Sequence, residues 1–279
     1  MKKLILIILA FVPFLFACNK SSSDVPVVVN LETPKNAENA TRIVIATPIS
    51  VETVDKGVVA IREIQFLRSG RYVALADVTK ATETVILTGT YTVNDEGVYE
   101  TAGDIEVSVK TTEDTVTIDN ECAEAVFVGS DIEEGSTEDY LCRTWKLDNI
   151  VLNFQRLGAE AKYYNITSIV EDLMAHEVEF SDEVKQRMLN HEIDEISVDE
   201  GVILVTFTNA SPFIGEWNLN GTSSFSYHFV NDTASDIFES SATGEISFKD
   251  NKAVVFMSIK SGIEDLGDGS AIVTLVEAE

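Results

Sequence analysis

From residue 41 onward, apolar and polar side chains alternate in short runs. Ile64 and Phe66 alternate with polar neighbours, Ser69-Gly70 marks a turn, and 71–78 returns as a second strand. Val85, Leu87, Gly89, Tyr91 and Val93 then share one face, opposite Thr84, Thr88, Thr90 and Thr92. After the 94–97 turn come Ile105, Val107 and Val109, and after the 111–114 turn come Val116 and Ile118. Period two broken by tight turns predicts antiparallel hairpins, a β-meander over 41–130.

The stretch 131–140, DIEEGSTEDY, breaks this pattern with five acids and almost no apolar content, and is expected to be an acidic linker. Beyond it, Trp145 and Leu147 fall out of phase with Ile150, Leu152 and Phe154, which predicts a bulge near Asn149. Helical spacing follows: Ile166, Ile169, Val170, Leu173 and Met174 share one side, and Ser181-Asp182-Glu183 resembles a helix start ahead of Val184, Met188 and Leu189. These predict two short helices over a barrel mouth or against its wall. Strands then resume, with Ile196 and Val198, the run 202–208, and the alternation of Phe213, Gly215, Trp217 and Leu219. Asn220-Gly221 is the strongest hairpin signal, answered by Phe225, Tyr227 and Phe229. Further strands are expected at 245–249, 254–259 and 271–276. About eight short strands suit an up-and-down barrel that closes around a side-chain core or one small ligand. The fold class is therefore all-β with a small helical insertion: a β-meander domain followed by an eight-stranded barrel over 141–279.

The amino terminus has a different character. Lys2 and Lys3 precede fourteen uncharged, apolar residues, Leu4 to Ala17. That run is shorter than the roughly 20 residues a membrane-spanning helix needs, and predicts a secretion signal. Leu15-Phe16-Ala17-Cys18 resembles the lipobox of bacterial lipoprotein signal peptides, with Phe16 bulkier than the usual residue there. The resemblance implies removal of 1–17, lipid attachment at Cys18, a membrane anchor, and a place in the cell envelope, at the outer membrane. Residues 18–40, polar and carrying Pro26 and Pro34, suit a flexible tether.

Composition narrows the partners. An apolar share of 45% is ample for real cores, and the formal charge is −27. Without residues 1–17 it becomes 18 − 47 = −29, which disfavours nucleic acid as a partner. Cys122 and Cys142 bracket the acidic stretch; they form either a disulfide, as an oxidising compartment permits, or two separate buried thiols.

Arg143-Thr144-Trp145-Lys146-Leu147, a helical insertion, and Gly215-Glu216-Trp217-Asn218-Leu219 with its hairpin together resemble lipocalin-like domains of Gram-negative bacterial lipoproteins. Arg143 stands where the lipocalin Gly-x-Trp signature has Gly. Gly89-Thr90-Tyr91-Thr92-Val93 echoes the second of these motifs. Duplicated barrels would explain the echo; two meanders obeying one alternation explain it more simply, and that is the expectation here.

Catalytic motifs are absent: there is no Gly-x-Ser-x-Gly, no His-Glu-x-x-His, no phosphate loop and no Cys-x-x-Cys. His176 and His191 lack a third metal ligand, and His228 is expected to face solvent. Asp265 to Ser270 has turn composition without the spacing of an EF-hand. Asp114-Thr115-Val116 and Asp232-Thr233-Ala234 resemble bacterial O-glycosylation triplets, with turn threonines as the plainer reading. No enzyme, metal or cofactor is expected. Trp145, Trp217, Phe225, Tyr227 and Phe229 are the pocket candidates, and their alternative role is packed core. The expected function is binding of a small apolar or amphipathic ligand; the alternative is surface adhesion to a protein or glycan.

Overall fold

The computed structural model describes residues 31–34, 36–78, 84–129, 132–154, 158–178, 182–229, 241–260 and 268–278. The expected signal, Cys18 and most of the tether lie outside these residues, as do the 232–234 triplet and most of the 265–270 turn. Among the described residues no helix is long and apolar enough to cross a membrane. The chain divides into two compact units, Thr33–Glu134 and Gly135–Glu279, the second also taking Glu32.

The first unit contains β1 (Thr41–Thr53), β2 (Gly57–Phe66), β3 (Arg71–Val78), β4 (Thr84–Val93), β5 (Tyr99–Gly103), β6 (Ser108–Thr111), β7 (Thr115–Ile118) and β8 (Glu121–Val128). Each strand pairs antiparallel with the next, and β8 returns to β1 by pairing Ala125–Val128 with Arg42–Ile45. The alternation that predicted an open meander thus closes into a barrel. Closure depends on β1, whose register to β2 shifts between Val44 and Ile49 around Pro48. Proline removes a ladder donor there, and the strand bends so that its first half serves two neighbours.

Inward residues fill this barrel. Ile43, Val59, Ile61, Ile64, Tyr72, Leu87 and Val109 are fully buried. Phe66 stacks on Tyr99 with ring centroids 4.1 Å apart and meets Tyr91 edge-on at 4.9 Å. The strand expected at Ile105 and Val107 begins only at Ser108; before it, side chains replace the ladder. Ile105 N–H donates to the Tyr72 hydroxyl (3.1 Å), and Val107 N–H to Thr101 Oγ1 (3.0 Å).

The second unit contains α1 (Thr137–Leu141), β9 (Thr144–Phe154), β10 (Gly158–Tyr163), α2 (Ile166–Ala175), α3 (Asp182–Asn190), β11 (Ile193–Asp199), β12 (Val202–Phe207), β13 (Phe213–Asn220), β14 (Ser224–Phe229), β15 (Ser241–Lys249), β16 (Lys252–Lys260) and β17 (Asp268–Glu277). Strands β9 and β11–β17 form a second closed eight-stranded barrel, sealed by β17 against β9. β10 adds to β9 at Ile150–Phe154, beyond the stretch that β11 pairs with. The bulge expected near Asn149 is present. Thr274 pairs with Asn149 and Leu275 with Leu147, so Asp148 is the extra residue. Part of the expected acidic linker is helical. α1 is capped by Ser136 Oγ, which accepts from Asp139 N–H (3.0 Å), and Asp139 is buried.

The same corner motif recurs within each barrel. In the first, Tyr91 N–H donates to Gly70 O (2.8 Å) and its hydroxyl to Leu67 O (2.9 Å). In the second, Trp217 N–H donates to Gly201 O (3.2 Å) and its indole Nε1 to Asp199 O. Both turn glycines have positive φ, +79° at Gly70 and +67° at Gly201. The same fourth-strand aromatic therefore ties down the same second turn in each barrel. The two Gly-x-aromatic motifs thus sit on the fourth strand of each closed antiparallel barrel.

Candidate functional site: an apolar cavity in the second barrel

The second barrel is incompletely filled. Its inward face lines a cavity of about 140 Å³, open over part of its boundary and comparable in volume to protein cavities that hold a single aromatic ring. Strands β9 and β11–β17 all contribute to its wall. Ile193, Ile196, Ile203, Phe225 and Val273 point into it and keep partial exposure because the void replaces the neighbours that would cover them.

The two ends of the cavity differ. Leu141, from α1, lines it at one end, where Trp145 and Arg143 pack beneath. Arg143 is 2% exposed; it donates to Tyr140 O (2.7 Å), to Glu32 O (3.2 Å) and to Glu277 Oε1 (2.8 Å). Its guanidinium lies 5.9 Å from the Trp145 ring. Trp145 Nε1 donates to Leu141 O (2.8 Å), which joins the buried cation, the indole and α1 into one plug. Arg143 thus supplies a contact to Trp145 from the position where the Gly of the lipocalin signature would stand.

At the other end Ile166, the first residue of α2, lines the cavity. Glu192 holds it there. Its Oε1 accepts from Ile166 N–H (2.9 Å), and its Oε2 accepts from Thr167 N–H (3.1 Å) and Thr167 Oγ1 (3.1 Å). Asn165 caps the same turn through Ser168 N–H (2.8 Å). Ile169, Val170 and Leu173 are buried beneath the helix as the spacing predicts, whereas Met174 is exposed, one position past the apolar stripe. Tyr163 donates to Asp172 Oδ2 (2.6 Å), and burial, reinforced by that carboxylate, pushes its phenol well above the usual range.

Of the pocket candidates, Trp217, Phe225 and Tyr227 line the cavity together. Trp217 and Tyr227 are direct cross-strand partners. Trp145 does not line it, being packed in the plug instead. Phe229, on β14, pairs with Gly215 of β13, but its side chain lies outside the described residues. Phe207, Phe213 and the aliphatic part of the wall went unmarked as pocket residues in the sequence, although the inward alternation of β11, β12 and β13 was their signal. Glu192 had no local signal, since it caps a helix start about two dozen residues upstream.

Cys122 and Cys142 are not joined. Cys122 is an exposed free thiol on β8 and Cys142 a free thiol buried in the second unit, so of the two thiols expected to be buried only Cys142 is. The two histidines considered for metal serve locally: His176 Nδ1 lies 2.9 Å from Asp172 O, and His191 lies against Phe207 and Phe213. Among the described residues no cluster of potential metal ligands occurs. His228 is exposed, and Thr115 Oγ1 lies 2.6 Å from Thr112 Oγ1 within its turn. In comparisons with known proteins, no family model matches the chain and no curated protein is significantly similar to it.

Proposed function

We propose that this protein is a lipid-anchored cell-envelope lipoprotein whose second, lipocalin-like barrel binds a small apolar or amphipathic ligand, and that its role is non-catalytic. The observation that supports this reading is the cavity itself. Trp217, Phe225 and Tyr227, with Phe207, Phe213 and aliphatic side chains, line an unfilled space, where a packed core would have closed it. The anchor rests on the Leu15–Cys18 lipobox resemblance.

One experiment addresses both halves. The protein is purified in mild detergent from its own host membranes and examined by native mass spectrometry, then again after denaturation. We expect a stoichiometric small molecule that leaves on denaturation and is missing from a Trp217→Ala/Tyr227→Ala variant. The denatured chain should begin at Cys18 and carry acyl mass there. A clean apo mass, unchanged after incubation with host lipid extract, would refute the carrier reading.

A surface role is the second reading, favoured by the outside of the first barrel. Val44 and Val126 are exposed cross-strand partners, and Val128 is exposed beside them. Under that reading the same valines contact a protein or glycan.

A further inference from the structure

We infer that the cavity selects neutral ligands and rejects anions, and that Glu192 is the residue that enforces the choice. The inference rests on the pocket reading above and goes one step beyond it, to the charge of what is bound.

An amphipathic anion such as a fatty carboxylate needs a cation or a set of N–H donors for its head group, because a buried charge without a partner is strongly disfavoured. The described wall offers neither. It is built from Leu, Ile, Val, Phe, Met and Ala, with Trp217 and Tyr227 as its only carriers of nitrogen or oxygen in a side chain. The indole N–H of Trp217 already donates to Asp199 O.

The Tyr227 hydroxyl is a single neutral donor, too little to hold a buried anion; beyond it, two groups beside the cavity could receive one, one at each end, and a carboxylate of the chain already holds each. At the plugged end Arg143 is bound by Glu277. At the helix end the first N–H groups of α2, the ordinary seat for an anion, point at Glu192 instead. Ile166 and Ile193, adjacent to these donors and to Glu192 in the chain, line the cavity, so an incoming carboxylate would meet a negative charge where it needs donors. A hydroxyl or ester head group carries no such penalty.

The test is a matched pair of probes on the full chain at pH 8: octan-1-ol and octanoate, measured by calorimetric titration. Octan-1-ol is expected to bind at least about 30-fold more tightly than octanoate. In Glu192→Gln, which keeps the shape and removes the charge, that ratio should shrink severalfold. Val273→Phe and Ala271→Leu, which fill the void from its wall, should abolish binding of the alcohol.

Equal affinity of the wild type for both probes overturns the inference and leaves the pocket standing. An unchanged ratio in Glu192→Gln overturns the role of that residue. Binding of neither probe, or alcohol binding that survives both filling variants, overturns the pocket reading itself. Should Glu192→Gln fail to fold, the wild-type ratio still decides whether the cavity rejects anions.

Discussion

Tyr72 shows how one side chain can replace a piece of sheet. It is fully buried in the first barrel, and its hydroxyl accepts from Ile105 N–H where the β5–β6 ladder is interrupted. Room for its ring comes from Gly89: a Cβ there would lie 2.6 Å from Tyr72 Cε1 and would also collide with Ala102 O. The alternation of β4 marks Gly89 as inward but gives no reason for glycine, because the reason is a tyrosine on the adjacent strand. Burial pushes the Tyr72 phenol up from 10.0 to about 12. Below pH 10 folded and unfolded chains both hold the proton, so the contribution is complete. Above it the unfolded chain releases the proton first, and stability falls by about 1.4 kcal/mol per pH unit until the folded phenol titrates near 12. At pH 8 Tyr72→Phe should cost roughly 1–3 kcal/mol, since Ile105 N–H loses its acceptor. Denaturant titrations between pH 8 and pH 11.5 should show the wild type converging on the variant. A constant gap would mean that the phenol is not held neutral by the fold.

At the scale of elements, β9 was the most legible strand and also the most constrained. Its phase slip could be read directly, because side chains alternate with period two and both Trp145 and Ile150 are too large and apolar to leave outside. The structure resolves the conflict at Asp148, whose carboxylate takes Lys252 Nζ at 2.9 Å and is held below its ordinary range by that ammonium. Deleting Asp148 removes the extra residue. Either the plug at Trp145 or the wall at Ile150, Leu152 and Phe154 must then turn outward. The deletion should cost several kcal/mol, as large buried side chains are lost to solvent. By contrast Asp148→Ala, which keeps the residue count, should cost about 1 kcal/mol or less, because the ion pair is half exposed. Equal losses from the two changes would show that the charge and not the register matters. Closure of the first barrel and the helix cap at Glu192 were not legible in this way. Each joins residues far apart in the chain, and alternation reports which face a residue takes without reporting which strand it meets.

On the scale of the whole molecule, the same corner and strand order produce one filled barrel and one hollow barrel. The difference lies in what points inward. The first barrel packs Phe66, Tyr91 and Tyr99 against one another in its interior, whereas in the second Trp217, Phe225 and Tyr227 border a void together with Phe207, Phe213 and aliphatic chains. Counting strands could not separate these outcomes, since both sequences alternate equally well and the void depends on summed side-chain volume. Two units with separate cores should unfold separately, so calorimetry of the full chain should show two transitions. Tyr72→Phe should lower one and leave the other. Octan-1-ol at a hundredfold its Kd should raise that other by about 2.7 kcal/mol, or roughly 5–10 °C for a unit of this size, because only the folded hollow barrel binds it. The first barrel, whose described inward residues pack against one another, should not move. A single transition shifted by both perturbations would instead mean that the two cores share one cooperative unit, and ligand bound in the second barrel would then stabilise the first as well.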